Sequence, residues 1–373
     1  MSDGLEASTD AQRADLAAAF GQRTDPLKEH TAKFKQIDID PFELFFVDVL
    51  SKQGLAEDTV KSYHRHVDQW QDFMRNQQNR HPVCPNEQHV RSFMRYYRDE
   101  VGNQPNTVKT KLLHLNKAYE YWQQDPAFPH PQDFNPFTLV MSKESLPRTK
   151  SKEPHRITIE EIGEIIRGVT HIRDRAILLI QLKLGLRAGE VCNIQLQDIH
   201  LNNSEIRQFY SELGSHPSLE GRENALYVPS SAERDGNKSR RPRLLPLDDE
   251  TRHVLLRYLL TRPDADHQWL FYSDKLHSHC DREYINEVWK DYFHPKYAET
   301  EQHRRVTSHF GRHRFTTYWQ VEQDINRELV QYMRGDITRN GSLEDRSTID
   351  EYIHTYYEDI EDVYRNLIFK FQL

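Results

Sequence analysis

Apolar residues recur every three or four positions through much of this chain, the period of a helix that buries one face. Phe42 to Leu50 reads as an opening helix. From Thr59 onward, Val60, Tyr63, Val67, Trp70 and Met74 share one face, and Lys61, His64, Arg65 and Gln71 take the opposite one. Asn86 is placed as an N-cap, its side-chain oxygen accepting from an otherwise unpaired N–H, ahead of a stripe made by Val90, Phe93, Met94 and Tyr97. After Pro105-Asn106, the residues Val108, Leu112, Leu115, Tyr119 and Trp122 keep the period while Lys109, Lys111, His114 and Lys117 fall on other faces. Residues 41–141 are therefore expected to form a small all-helical bundle. Residues 1–40 are polar with a modest helical pattern at best, which predicts a partly ordered arm.

Residues 142–155 break the pattern. They hold Lys143, Arg148, Lys150 and Lys152 with two prolines and little apolar content, as expected of an exposed basic linker able to lie along a phosphate backbone. A second domain, 156–373, opens at Thr158-Ile159-Glu160-Glu161, a capping-box pattern in which the threonine and the second glutamate satisfy each other's backbone N–H groups. Ala176 to Leu186 is apolar on most sides, the mark of a core helix. Ala225 to Pro229 and Arg243 to Leu247 read as short strands around a polar turn. Helical patterns resume at Asp249 to Leu260, Tyr284 to Phe293, Phe315 to Gln323 and Thr348 to Phe371. The expected fold is mainly α with a small β-sheet. The sequence carries no 20- to 50-residue repeat of the kind that builds solenoids.

A length of 373 residues favours two domains over one core. No stretch approaches the roughly 18 consecutive apolar residues of a membrane span, and the first 30 residues lack a signal peptide's apolar core, so a soluble intracellular protein is expected. Cys84, Cys192 and Cys280 are too few for a disulfide framework, which points to a reducing compartment. His277, His279 and Cys280 lie close together but lack paired ligands elsewhere at zinc-site spacing, and they read as a solvated loop. The net charge of -8 argues at first against nucleic acid, whose affinity rests on Lys and Arg releasing counterions. Its distribution changes that picture: with the -7 of residues 344–362 and the -3 of residues 1–40 set aside, the rest of the chain carries +2. A locally basic channel is compatible with that balance.

The candidate chemistry is that of a phosphodiester opened by a side-chain oxygen. Such a reaction needs a nucleophile, cations on the non-bridging oxygens and a proton for the leaving hydroxyl. Arg187, in Gly185-Leu186-Arg187-Ala188-Gly189-Glu190, and Arg312, in His309-Phe310-Gly311-Arg312, offer two planar forks. The turn from Arg234 to Arg243 holds five bases against one acid and is placed to enter a DNA groove, with Lys238 as candidate acid. A phenol with a pKa of about 10 needs a proton acceptor, for which His309 is the candidate. Tyr352, Tyr356, Tyr357 and Tyr364 all fall in the last helical stretch.

Those motifs, in that order, resemble the tyrosine recombinases, or phage integrases. The Gly185–Glu190 run looks like the box of their first catalytic arginine, His309–Arg312 like their His-x-x-Arg box, Tyr352-Ile353-His354 like the context of their nucleophile, and Gly236-Asn237-Lys238 with Leu245-Pro246-Leu247 like their lysine hairpin. The helical run from Gly54 to Val60 and Thr107-Val108-Lys109 resemble their core-binding domain. The resemblance covers about residues 40 to 371. It implies a SAM-like core-binding domain at 41–141 and a catalytic domain at 156–373 closing as a C-shaped clamp on DNA. It assigns Arg187, Lys238, His309, Arg312 and Tyr352 to catalysis with no cofactor and no metal, and Glu190 to support of the arginine box. The implied partners are double-stranded DNA with specific recombination sites and three further copies of the chain, in a homotetramer with no membrane association. The implied activity is cleavage and rejoining through a 3′-phosphotyrosine, for integration or excision of a viral or mobile element, by a cytoplasmic, nucleoid-associated protein. One departure stands out: where the family has Leu-Gly-His, this chain reads Met333-Arg334-Gly335-Asp336. It keeps open a DNA-binding protein with the recombinase fold and impaired catalysis. The lysine hairpin also carries extra residues between Lys238 and Pro246. At the C-terminus, Val363, Tyr364, Leu367, Ile368 and Phe371 share a helical face, which the resemblance places against a neighbouring copy.

Overall fold

A computed structural model describes residues 2–144, 152–264, 267–273, 278–336 and 349–373, without the side chains of residues 2–8, 10, 11 and 349–356. The chain divides into two compact units, Met1–Ser151 and Lys152–Leu373.

The first unit is helical. Pro41–Phe45, Glu57–Asn76, Glu87–Arg95, Pro105–Gln124 and Pro136–Lys143 are its main helices after residue 40, the first continued by a π-helical turn at Phe46–Leu50. Asp40, Asn86 and Asn135 cap three of them by accepting from backbone N–H groups. The stripes legible in the sequence meet in one aromatic core around Trp70, Phe73, Phe93, Trp122 and Phe137. Both buried indoles of this unit find acceptors, Trp70 at the Pro82 carbonyl and Trp122 at that of Pro41, as most buried N–H groups do.

Within the expected partly ordered arm of residues 1–40, Ser2–Ala19 is a helix, Leu27 is fully buried in the bundle core, and Asp25 accepts from Arg80 at 2.7 Å and from Asn86 at 3.0 Å. Phe34 packs on the same core and Arg13 pairs with Glu87, contacts that carry no periodic signal. One expectation fails in this unit: Lys111 does not lie apart from the buried stripe. It is buried, donating to Gln69 with its ammonium 4.5 Å from the Tyr97 ring. Of the expected linker, residues 145–151, including Arg148 and Lys150, lie outside the described residues. Lys143 and Lys152 at its edges are engaged by Glu87 and Glu299, each inside its own unit.

The second unit is built around Ile172–Leu184. Every residue from Ala176 to Leu184 is buried, including Gln181 and Lys183. Burying an ammonium is costly unless it is paired, and Lys183 sits 2.6 Å from both Asp248 and Glu250. The Thr158 capping box forms as read. Ala225–Val228 pairs antiparallel with Arg243–Pro246, Leu226 opposite Leu245, and Ile199–His200 adds a short third strand. A parallel two-residue pair joins Glu153–Pro154 to His303–Arg304. The helices Asp249–Thr261, Arg282–Tyr297, Ser308–Thr317, Arg327–Arg334 and Ile349–Leu367 complete the unit, the last packed on the Arg243–Pro246 strand.

The C-terminal face is buried only in part within this unit: Val363 is half-buried and Leu367 is 41% exposed. Ile360, Tyr364, Ile368 and Phe371 are nearly fully buried, and Tyr364 donates to the Lys183 carbonyl. The Glu250 carboxylate accepts the N–H groups of Phe371 and Leu373 at 3.0 Å. Of the 277–280 loop, Ser278 and His279 are exposed, while Cys280 is buried and His279 stacks on Trp269 and bonds the Cys192 carbonyl. His277 lies outside the described residues.

Candidate active site

The core helix ends at Gly185, whose left-handed backbone (φ +64) suits glycine, and any Cβ there would meet the Phe315 ring at 2.6 Å. This stop delivers Arg187 to the N-terminus of the short helix Ala188–Cys192. Its N–H donates to Glu190 at 2.8 Å, and its guanidinium reaches the same carboxylate at 3.3 Å. Glu190 is 2 % exposed and also accepts a fork from Arg243 at 3.1 and 2.9 Å. Burial alone raises a carboxyl pKa, but Arg243 and Arg187 outweigh it and hold Glu190 below its ordinary value. Glu190 thus accepts from two guanidinium groups that favour its charged form.

Arg312 comes from the Ser308–Thr317 helix and is 2 % exposed. It donates to the carbonyls of Gly185 at 2.7 Å and Arg334 at 2.8 Å, so the turn that presents Arg187 also holds Arg312. Burial and the neighbouring Arg187 both press its pKa down, a sign that positive charge is concentrated here. Asp336 answers that charge. Its Oδ1 accepts from Arg187 at 2.9 Å and Arg312 at 2.7 Å, and its Oδ2 lies 3.0 Å from Nε of Arg334.

His309 precedes Arg312 by one helical turn, with its ring edge-on to His313 at 4.4 Å. Burial lowers its pKa, and the fields of Arg312, Arg304, Arg334 and Arg187 lower it further, which favours the neutral imidazole. Lys238 is exposed on a loop whose flanking side chains are buried. Asn237 donates to the Pro229 carbonyl, and Ser239 donates to the Gly335 carbonyl beside Asp336, both at 2.8 Å. Tyr352 lies near the start of Ile349–Leu367, with its side chain outside the described residues. Tyr357 and Tyr364 are each 1 % exposed and belong to the core.

The structure therefore brings Arg187 and Arg312 onto one carboxylate, places His309 on the same helix as Arg312, and sets the Lys238 loop at their edge. Not all five bases of the Arg234–Arg243 turn face solvent. Arg234 is spent on buried Asp198 and Arg243 on Glu190, which leaves Lys238 and Arg240 exposed and Arg241 half-buried. Arg243, Arg334, Ser239 and Asp336 were not legible as site residues. The one available signal was the Arg334-Gly335-Asp336 departure itself.

A family model described as the phage integrase family matches residues 155–358. The tyrosine recombinase XerC of Staphylococcus epidermidis is 23% identical over 337 residues, covering 87% of this chain and 95% of the relative. The tyrosine recombinase XerA of Pyrococcus horikoshii is 25% identical over 189 residues, or 51% of this chain and 55% of the relative. Among solved structures, a lambda integrase dimer bound to a COC′ core site aligns with a TM-score of 0.59 at 14% identity, covering 94% of this chain and 86% of that one. The Tn1549 transposon integrase with circular intermediate DNA gives 0.57 at 14% identity, covering 84% and 99%. A lambda integrase tetramer on a Holliday junction gives 0.56 at 12% identity, covering 90% and 88%. These structural likenesses establish a shared fold.

Proposed function

The chain belongs to the phage integrase family, the tyrosine recombinases, and from that premise we propose that it cleaves and rejoins DNA through a 3′-phosphotyrosine link at Tyr352. The observation that carries this reading is the convergence of Arg187 and Arg312 on a single anion. Two forks fixed by Glu190 and by the Gly185 and Arg334 carbonyls are preorganised for the charge that builds on phosphate oxygens in the transition state. Tyr352 attacks phosphorus in line, the new tyrosyl O–P bond replaces the P–O5′ bond, and Lys238 supplies the proton that the departing 5′ oxygen takes up. His309, neutral at physiological pH, accepts the phenolic proton. Attack by a free 5′ hydroxyl reverses these steps and reseals a strand, with no external energy source because the bond energy is kept in the covalent link.

Four copies on paired duplex sites are proposed as the working assembly, by analogy with the lambda integrase tetramer bound to a Holliday junction. A role in integration or excision of a viral or mobile element is proposed alongside it. A second reading, a DNA-binding protein with impaired catalysis, draws support from Asp336, which stands at the family's histidine position and fills the arginine cradle.

The test is cleavage of a suicide substrate by Arg187→Ala and Arg312→Ala. Loss of one preorganised donor typically slows such a reaction by about a hundredfold or more. The expected result is that loss with DNA binding reduced far less. Cleavage by both variants at the wild-type rate would remove the proposal, and absence of cleavage by the wild type on every mapped site would favour the second reading.

A further inference from the structure

Asp336 is held where it is by the backbone around it. Gly335 caps the Arg327–Arg334 helix in the left-handed region (φ +65), and a Cβ there would lie 2.1 Å from the Ser239 hydroxyl and 2.5 Å from the Arg243 guanidinium. Ser239 donates to the Gly335 carbonyl at 2.8 Å, and the Asp336 N–H donates to the Gln331 carbonyl at 3.0 Å. The main chain is thus pinned on several sides, and what can move independently of it is the Asp336 side chain, by a change of rotamer. That group is 28% exposed, so a path from the cradle to solvent exists.

The oxygen inventory matches that of a phosphodiester. A carboxylate and a phosphodiester each carry one negative charge over two oxygens, and both are suited to paired guanidinium donors. Asp336 puts one oxygen on Arg187 and Arg312 and turns the other to Arg334. A phosphate oxygen cannot take the place of Asp336 Oδ1 between Arg187 and Arg312 while the carboxylate stays there, since like charges at contact distance repel strongly and the N–H groups aimed at Oδ1 are satisfied by it.

We propose that Asp336 is an internal competitor for the scissile-phosphate site: it occupies the cradle of Arg187 and Arg312 in the free protein and is displaced by a side-chain rotation when the DNA phosphate enters. The inference rests on the recombinase reading for the identity of the incoming phosphate. A site that is open only part of the time binds with its intrinsic affinity reduced by that fraction, so an open population of about one in ten lowers apparent affinity about tenfold. The same device keeps the guanidinium groups paired and positioned when no DNA is present, and it closes the cradle to small oxyanions.

The experiment uses inorganic sulfate as probe and the full chain as protein, with chloride at matched ionic strength as the control. Sulfate binding is read by calorimetry and by the sulfate-specific rise in melting temperature, for the wild type, Asp336→Asn and Asp336→Ala. Asn preserves the shape and removes the charge, and Ala removes both, so one folded variant is enough for a decision. The expected result is sulfate binding at least about tenfold tighter in the variants, abolished again in Arg187→Ala/Asp336→Asn. On a Tyr352→Phe background, Asp336→Asn is expected to bind intact target duplex about tenfold more tightly as well. Folded variants that bind sulfate no better than the wild type would overturn the proposal, as would a gain that survives removal of Arg187. The sulfate measurement involves no cleavage, so an inactive wild type would count against the recombinase reading while leaving this result readable.

Discussion

Glu190 separates the two arginines it touches into different jobs. Arg243 is 1 % exposed and gives both terminal nitrogens to that carboxylate and its Nε to the Met333 carbonyl, so it serves the scaffold. Arg187 gives Glu190 one nitrogen and keeps another turned to Asp336, so it remains available to a ligand. Nothing local distinguishes them, because the Arg243 partner lies 53 residues away in sequence and the Arg234 partner 36. A run of bases in a turn therefore read as one surface when it was two buried ion pairs and a smaller exposed set. Lys238 belongs to that exposed set, and its proposed job is to protonate the 5′ oxygen. A substrate with a 5′-bridging sulfur leaves without an acid, so Lys238→Ala is expected to lose at least about a hundredfold in rate on the oxygen substrate and recover on the sulfur one. Equal loss on both substrates, measured in single-turnover cleavage, would make Lys238 a binding residue.

Helices announced themselves wherever a periodic stripe met a cap, as at Asn86 and Thr158, because both signals are local. What a helix packs against is not local. The stripe through Tyr364, Ile368 and Phe371 was legible, but its partners are Lys183, Glu250 and the Phe371 carbonyl's donor Arg167, all more than a hundred residues upstream. That segment also roofs the buried Lys183, with the Phe369 and Phe371 rings 5.8 and 5.9 Å from its ammonium. Removing the Phe371 side chain opens a cavity beside a buried ion pair, and Phe→Ala changes of this kind cost about 3–5 kcal/mol. Phe371→Ala is therefore expected to lower the denaturation midpoint of the isolated monomer in urea. A tail that docked on a neighbour would instead leave the monomer's midpoint unchanged and lose assembly alone.

For the molecule as a whole, the mainly helical fold and the small antiparallel sheet were readable because hydrophobic period and turn composition carry them. The docking of residues 25–34 was not, since Leu27 and Asp25 act as single anchors against distant partners. Nor was the content of the cradle: in sequence Asp336 is only a departure from the family's histidine, and Arg187 and Arg312, which it binds, lie 149 and 24 residues away. The net charge of -8 is likewise uninformative by itself, as a compact cluster of guanidinium groups is enough to hold a phosphate. On the recombinase reading, this chain makes a covalent bond to DNA through one tyrosine. The most direct test is to trap the full-length protein on a nicked suicide substrate, digest the adduct and identify the peptide that carries the nucleotide. The expected result is a 3′-phosphate ester on Tyr352 in the wild type and no adduct in Tyr352→Phe; a nucleotide found on Tyr356, on another residue or on none would overturn the assignment of Tyr352 as nucleophile.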